Sequence, residues 1–227
     1  MIGIIGAMEI EVNAIIGMLE EKKEQVIGSI TFTLGKINNC DVVVARCGIG
    51  KVFAALCAEA MILNFKLDYI LNVGVGGSLS KNLNVASIAI SKACVQHDMD
   101  TSPIGDPIGM ISGINLINIP TDESIAKKVE AAAKELNIPC EIGIIASGDQ
   151  FVNSTERKIF ITNTFNAIAC EMEGAAIAQV AYVNKVPCCV VRAISDSADG
   201  SSHTDYFEFI KIAVENSKHV IAKLIRA

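Results

Sequence analysis

Apolar residues come in short β-branched runs separated by stretches with helical spacing. "IGII" opens the chain, and Val12, Ile15, Ile16 and Leu19 then recur on one helical face. "DVVVA" followed by "KVFAALCAEAMIL" repeats that alternation. "DYILNV", "ASIAIS", "EIGIIAS", "AIACEM" and "CCVVRAIS" predict further strands, and residues 124–136, 155–163, 174–184 and 207–226 predict helices. Pro120-Thr121 and Asn153-Ser154 offer helix starts, the second with Glu156 placed for a capping box. "EEKKE" at Glu20 to Glu24 mixes signs and reads as a solvated helix end.

Strands that are apolar throughout need burial on both faces, which a largely parallel sheet between helix layers supplies. The expected fold is α/β, a three-layer α/β/α sandwich around a twisted mixed, largely parallel sheet, with residues 1–227 as a single domain. Sheets of this kind bind ligands beyond the carboxyl ends of their strands. Asp149, Glu171, Glu173 and Asp196 fall at or just past such ends, so an acidic crevice is expected there.

Composition narrows the function classes. The 51% of apolar residues suffices for a large core, and the formal net charge of −6, without any Lys/Arg cluster, argues against a nucleic-acid partner. The eight cysteines form no CxxC pair, and Cys140, Cys170, Cys188 and Cys189 lie in apolar runs, as reduced, buried thiols do. "MIGIIGAMEIEV" lacks the features of a signal peptide, and no apolar stretch approaches the ~18 residues of a membrane span. A cytoplasmic protein without a membrane partner is expected.

Two glycine motifs fail the nucleotide-binding patterns. "NVGVGGS" would need a glycine at Leu79 for GxGxxG, and in "GIGK" the lysine is followed by Val52 in place of a hydroxyl residue. Each reads as a tight strand-to-helix turn or as a close approach of backbone to a ligand. His97, Asp98 and Asp100 have no second element with ligand spacing, and His203 stands alone among hydroxyls, so no metal site is expected. Turn chemistry accounts for that loop.

The acidic residues offer more. In an extended "EMEG", Glu171 and Glu173 point the same way, either to solvent or toward a polyol whose vicinal hydroxyls a carboxylate can accept. Arg192, inside the apolar run that ends at Ser195 and Asp196, needs a buried partner, and any of the crevice carboxylates could serve. Glu11, in a first helical turn, could simply complement the helix dipole.

Taken together, "GIIGAMEIEV", "CGIGKV", "SGDQFVN", "CEMEGAAIAQV" and "VVRAISDSAD" resemble the bacterial 5'-methylthioadenosine/S-adenosylhomocysteine nucleosidases of the purine nucleoside phosphorylase superfamily, from residue 2 to about residue 225. The resemblance implies a nucleoside phosphorylase-like α/β/α sandwich that dimerises and hydrolyses the N-glycosidic bond of 5'-thioadenosines without a cofactor. Carried onto matching positions, Asp196 is the general acid toward adenine N7, Glu11 the base for water, and Glu173 the clamp on the ribose hydroxyls. Val152 and Met172 hold adenine and ribose through their backbones, Phe151 stacks near the base, and Gly77 lets the chain approach the ligand. Ser195 and Arg192 complete the binding residues, and Met8, Ile49 and Tyr206 offer an apolar lining for a thioether.

Two positions depart from the family pattern. Val75 stands where a serine usually touches the nucleophile, leaving water positioning to Glu11, Arg192 and Glu173. The loop at Thr101, Ile104 and Asp106, which in the family reaches the partner subunit's site, lacks the usual aromatics, so the 5' substituent is open.

Three rivals remain. A phosphorylase of the same fold needs groups that attract phosphate; Glu11 would repel it, while Arg46 and Arg192 would not. Futalosine hydrolase shares the hydrolytic chemistry and differs in the 5' group. A non-catalytic nucleoside-binding protein would have no need for Glu11 and Asp196 together.

Overall fold

The computed structural model describes residues 1–196 and 206–226. The elements run β1 (Ile2–Gly6), α1 (Glu9–Ile16), β2 (Glu20–Ile27), β3 (Ile30–Ile37), β4 (Cys40–Arg46), α2 (Lys51–Asn64), β5 (Tyr69–Ser78) and β6 (Ile88–Gln96). They continue with β7 (Ile119–Pro120), α3 (Glu123–Glu135), β8 (Cys140–Ser147), α4 (Thr155–Phe165), β9 (Ala167–Glu171), α5 (Gly174–Asn184), β10 (Cys188–Asp196) and α6 (Tyr206–Leu224). All ten strands share one sheet. The fold is the expected α/β architecture around a mixed, largely parallel sheet.

Why the apolar runs became central strands is visible in their burial. β1 is buried along its whole length and pairs in parallel with β4 on one side and β5 on the other. Ile4, Val42, Val44 and Leu71 face a core shared with α1, α3 and α6, whereas Ile5, Val43 and Ile70 face one shared with α2 and α5. Successive side chains of one strand thus enter opposite helix layers, as a period of two requires.

The sheet does not stay open. β10 pairs in parallel with β5 and antiparallel with β6, while β9 links β8 to the far end of β5, so β5, β10, β6, β8 and β9 close on themselves. Closure brings the carboxyl ends of β5, β8, β9 and β10 around one space. β5 follows the bend through "GVGG". A Cβ at Gly74 would lie 2.9 Å from both Arg192 Nη1 and Glu11 Oε1, and one at Gly77 3.1 Å from Asp196 Oδ2. "NVGVGGS" is therefore the end of a strand rather than a strand-to-helix turn, and glycine is needed for close approach. "GIGK" does turn from strand to helix, with positive φ at Gly48 (93°) and Gly50 (97°).

Other local expectations shift. "EEKKE" is not a helix end: it opens the exposed edge strand β2, paired antiparallel with β3, and its charged Lys and Glu protect that edge from further pairing. The cap of α4 falls at Ser154, whose side chain accepts from the Arg157 N–H at 3.2 Å; Glu156 then occupies the second helical position, one short of a capping box. All eight cysteines are free, and Cys140 is half-buried where the other three thiols named above are buried. Among the described residues no helix is long and apolar enough to cross a membrane.

Candidate active site

A cavity open to solvent sits where the sheet closes, concave and lined by apolar side chains with a few convergent acidic groups, as small-molecule sites are. Glu11, Glu173 and Asp196 all line it, with Met8, Ile49, Val75, Gly77, Phe151, Val152, Met172 and Ser195. Three carboxylates from α1, the start of α5 and the end of β10 therefore open onto one space. Arg192 lies fully buried behind it. Tyr206 opens α6, but its side chain lies outside the described part of the structure, as do His203 and the end of "VVRAISDSAD".

Glu11 owes its position to the local turn. At the third position of α1 it reaches back to accept the N–H groups of Met8 at 2.8 Å and Ala7 at 3.0 Å, half of a capping box. Its other oxygen accepts the Val75 N–H at 3.0 Å. Burial pushes its carboxyl up, and Arg192 and these N–H groups only partly oppose that. Dipole complementation on a solvated surface does not describe it: Glu11 is 5% exposed.

Glu171 and Glu173 divide the work that the "EMEG" spacing leaves open, and neither is a solvated strand end. Glu171 bonds Arg192 and the Ser147 hydroxyl and accepts the N–H groups of Glu173 (3.0 Å) and Gly174 (2.8 Å). Burial would raise it, but Arg192 and these donors win and hold it below the usual carboxylate range. Arg192 also donates to Asn72 Oδ1, so its buried charge is satisfied on several sides. Glu173 accepts the Gly50 N–H at 2.9 Å and stands 3.7 Å from Arg192. Burial and the charge of Glu171 push it up to about 7.

Asp196 closes β10 beside Ser195, whose hydroxyl donates to it at 3.1 Å. Burial raises its pKa, opposed by Lys158. Lys158 Nζ lies 3.8 Å from Asp196 Oδ2 and is almost fully buried. The signal for Lys158 was in the sequence: with Ile161 and Phe165 it forms the buried stripe of α4, where a charge is out of place. Gln150 and the Gly50 N–H also escaped the motif reading.

The residues suggested and set aside as metal ligands have other bonds. Asp98 binds Lys51 at 2.7 Å, Asp100 accepts the Ser102 N–H at 2.8 Å, and His97 Nδ1 lies 2.9 Å from Arg157 Nη2. Chemically, the cavity offers an acid whose pKa burial raises on one wall, two carboxylates near a buried guanidinium on another, and an apolar mouth at Met8, Ile49 and Phe151.

Comparison with known proteins identifies the family. The model of the phosphorylase superfamily matches residues 1–226. An aminodeoxyfutalosine nucleosidase of Helicobacter pylori is 40% identical over 227 residues, covering 100% of this chain and 96% of the other. A 5'-methylthioadenosine/S-adenosylhomocysteine nucleosidase of Geobacillus is 36% identical over 226 residues, with 99% and 97% covered. The crystal structure of a mutant Helicobacter pylori MTAN with 5'-methylthioadenosine in the active site superposes with a TM-score of 0.93 at 38% identity, covering 98% of this chain and 96% of that one. The chain belongs to the phosphorylase superfamily and, within it, to the nucleosidase family.

Proposed function

We propose that the protein hydrolyses the N-glycosidic bond of 5'-thioadenosines, 5'-methylthioadenosine and S-adenosylhomocysteine, to adenine and the 5-thioribose. The observation that carries this reading is the convergence of Glu11, Glu173 and Asp196 on one cavity. Cleavage moves the electrons of the C1'–N9 bond onto adenine, which departs slowly as an anion. Asp196 gives its proton to N7 as that bond lengthens, a contribution of typically about 10²- to 10⁴-fold. An aspartic acid near its ordinary pKa of about 3.9 would be protonated in roughly one molecule in a thousand at pH 7, so the upward push from burial matters.

On the sugar side, the oxocarbenium charge that develops at C1' is favoured by Glu11 and Glu173, more in the transition state than in the bound nucleoside. Glu173 accepts from the ribose hydroxyls. Water adds at C1' and yields its proton to Glu11. The backbones of Val152 and Met172 hold base and ribose, with Phe151 against the ring, Gly77 admitting the ligand and Ser195 steadying Asp196. Phosphate as nucleophile is disfavoured by Glu11 at the attack site.

Met8 and Ile49 also line a second groove, together with Ile30, Arg46, Phe53 and Leu56, which supports room for an elongated 5' group. Together with the 40% identity to an aminodeoxyfutalosine nucleosidase, this favours as second reading a nucleosidase for that bulkier 5' substituent. Val52, Phe53, Leu56 and Val183 expose apolar surface on α2 and α5, as a homodimer would require, with the loop at Thr101, Ile104 and Asp106 reaching the partner's site.

The test is incubation with 5'-methylthioadenosine and with aminodeoxyfutalosine in phosphate-free buffer, then with phosphate added. Free sugar at a phosphate-independent rate is expected, and the ratio of kcat/KM values ranks the two substrates. A sugar phosphate formed only with phosphate would make the protein a phosphorylase, and no cleavage would leave a binder.

A further inference from the structure

Lys51, Asp98 and Asp149 come from three separate parts of the chain and close a ring. Lys51 Nζ donates to Asp98 Oδ1 at 2.7 Å, the Asp149 N–H donates to Asp98 Oδ2 at 2.9 Å, and the Lys51 N–H donates to Asp149 Oδ1 at 2.8 Å. The side chains of Lys51 and Asp98 are only 18% and 17% exposed, so this is not a solvent-screened surface pair. Lys51 Nζ also donates to Gln96 Oε1 at 3.0 Å, and Gln96 passes the link to Gln179 on α5.

The place of Lys51 argues for more than helix stability. It is the first residue of α2, where the helix dipole disfavours a cation. The ring lies behind two walls of the cavity. The preceding Gly50 N–H holds Glu173 at 2.9 Å, and Asp149 stands two residues before Phe151 in the loop that follows β8. His97, next to Asp98, donates its backbone N–H to the carbonyl of Ser147 at 2.9 Å, tying the third corner of the ring to the end of β8 from which that loop departs.

We propose that Lys51 is a positioning residue: by clamping Asp98 against Asp149 it sets the gap between the wall formed by Phe151 and Val152 and the carboxylate of Glu173 that faces it. The naming of those walls as the adenine and ribose subsites rests on the nucleosidase reading. The clamp itself rests on the ring alone. Without the ammonium, Asp98 loses its charged partner, the loop at 148–152 keeps only the main-chain N–H of residue 51 as its tie to α2, and base and ribose are gripped less firmly at a fixed separation.

The experiment compares wild type, K51M and K51R by amide hydrogen exchange and by kcat and KM for 5'-methylthioadenosine. In K51M the Lys51 and Asp149 amides should exchange at least about tenfold faster, as loss of a charge-assisted bond implies, while those of Val42 to Val44 in β4 are unchanged. KM should rise about tenfold with kcat altered far less, and K51R should restore both because it still donates to Asp98. Unchanged KM in K51M overturns the proposal, as does faster exchange that spreads through β4, which marks a merely structural role. If K51M does not fold, D98N carries the same comparison with the same outcomes. If the wild type cleaves no nucleoside, the functional reading falls, and the exchange pattern by itself decides the clamp.

Discussion

The main-chain N–H of Val75 donates to Glu11 Oε1 at 3.0 Å. Where the family pattern has a serine side chain near the nucleophile, this protein holds Glu11, the proposed base, through backbone, a contact indifferent to the residue at that position. Val75→Ser adds a hydroxyl beside an existing bond, so kcat for 5'-methylthioadenosine is expected to be preserved or raised. A large loss would show that the pocket has packed around the valine methyls.

The site is held together from behind by Arg192 and Glu171. Glu171→Gln leaves the guanidinium buried with its main counter-charge removed, at a cost of roughly 3 kcal/mol, lowering Tm by about 6–12 °C in a chain of this size. Glu173 should also fall from its pKa near 7, because Glu171 is one cause of that elevation. Calorimetry with a pH–rate profile reads both effects, and an unchanged Tm would remove the pair from the framework.

Glu173 has the opposite stability signature. Its folded pKa, about 7, exceeds the ordinary 4.5, so the native state binds more protons between those values and stability falls as pH rises through them. Each unit is worth about 1.4 kcal/mol. Glu173→Gln keeps an acceptor for the Gly50 N–H and should raise Tm at pH 8 but little at pH 5, while weakening binding of a ribosyl inhibitor. Equal Tm gains at both pH values would contradict the assignment.

Lys158 opposes the elevation of Asp196. In Lys158→Met the acid should keep its proton to higher pH, moving the alkaline limb of kcat/KM upward and lowering the plateau, since the aspartate left after proton transfer is less stabilised. A downward shift would assign that limb to another group.

How much of this was legible in the sequence follows from what each residue depends on. The order of strands and helices was readable because Ile4, Val43 and Leu71 lie in runs whose character burial on both faces imposes. Glu11, Glu173 and Asp196 were readable from motif resemblance, and Glu173 and Asp196 also from their place at strand ends. β2 was not, because an edge strand guarded by Lys and Glu has the composition of a solvated helix end. The closure of β5 onto β10 depends on pairing between residues more than a hundred positions apart, for which the glycines of "GVGG" were only an ambiguous sign. Lys51 and the Gly50 N–H became visible only once α2 lay beside the loop after β8, since no local pattern ties Lys51 to Asp149.

The central claim is that one nucleoside sits among three carboxylates, with Asp196 feeding a proton to its base. Single-turnover cleavage of 5'-methylthioadenosine by Asp196→Asn, with binding measured on the same sample, tests it most directly. The account predicts nucleoside affinity within about tenfold of wild type and cleavage slower by at least about 10². Cleavage at close to the wild-type rate would contradict it.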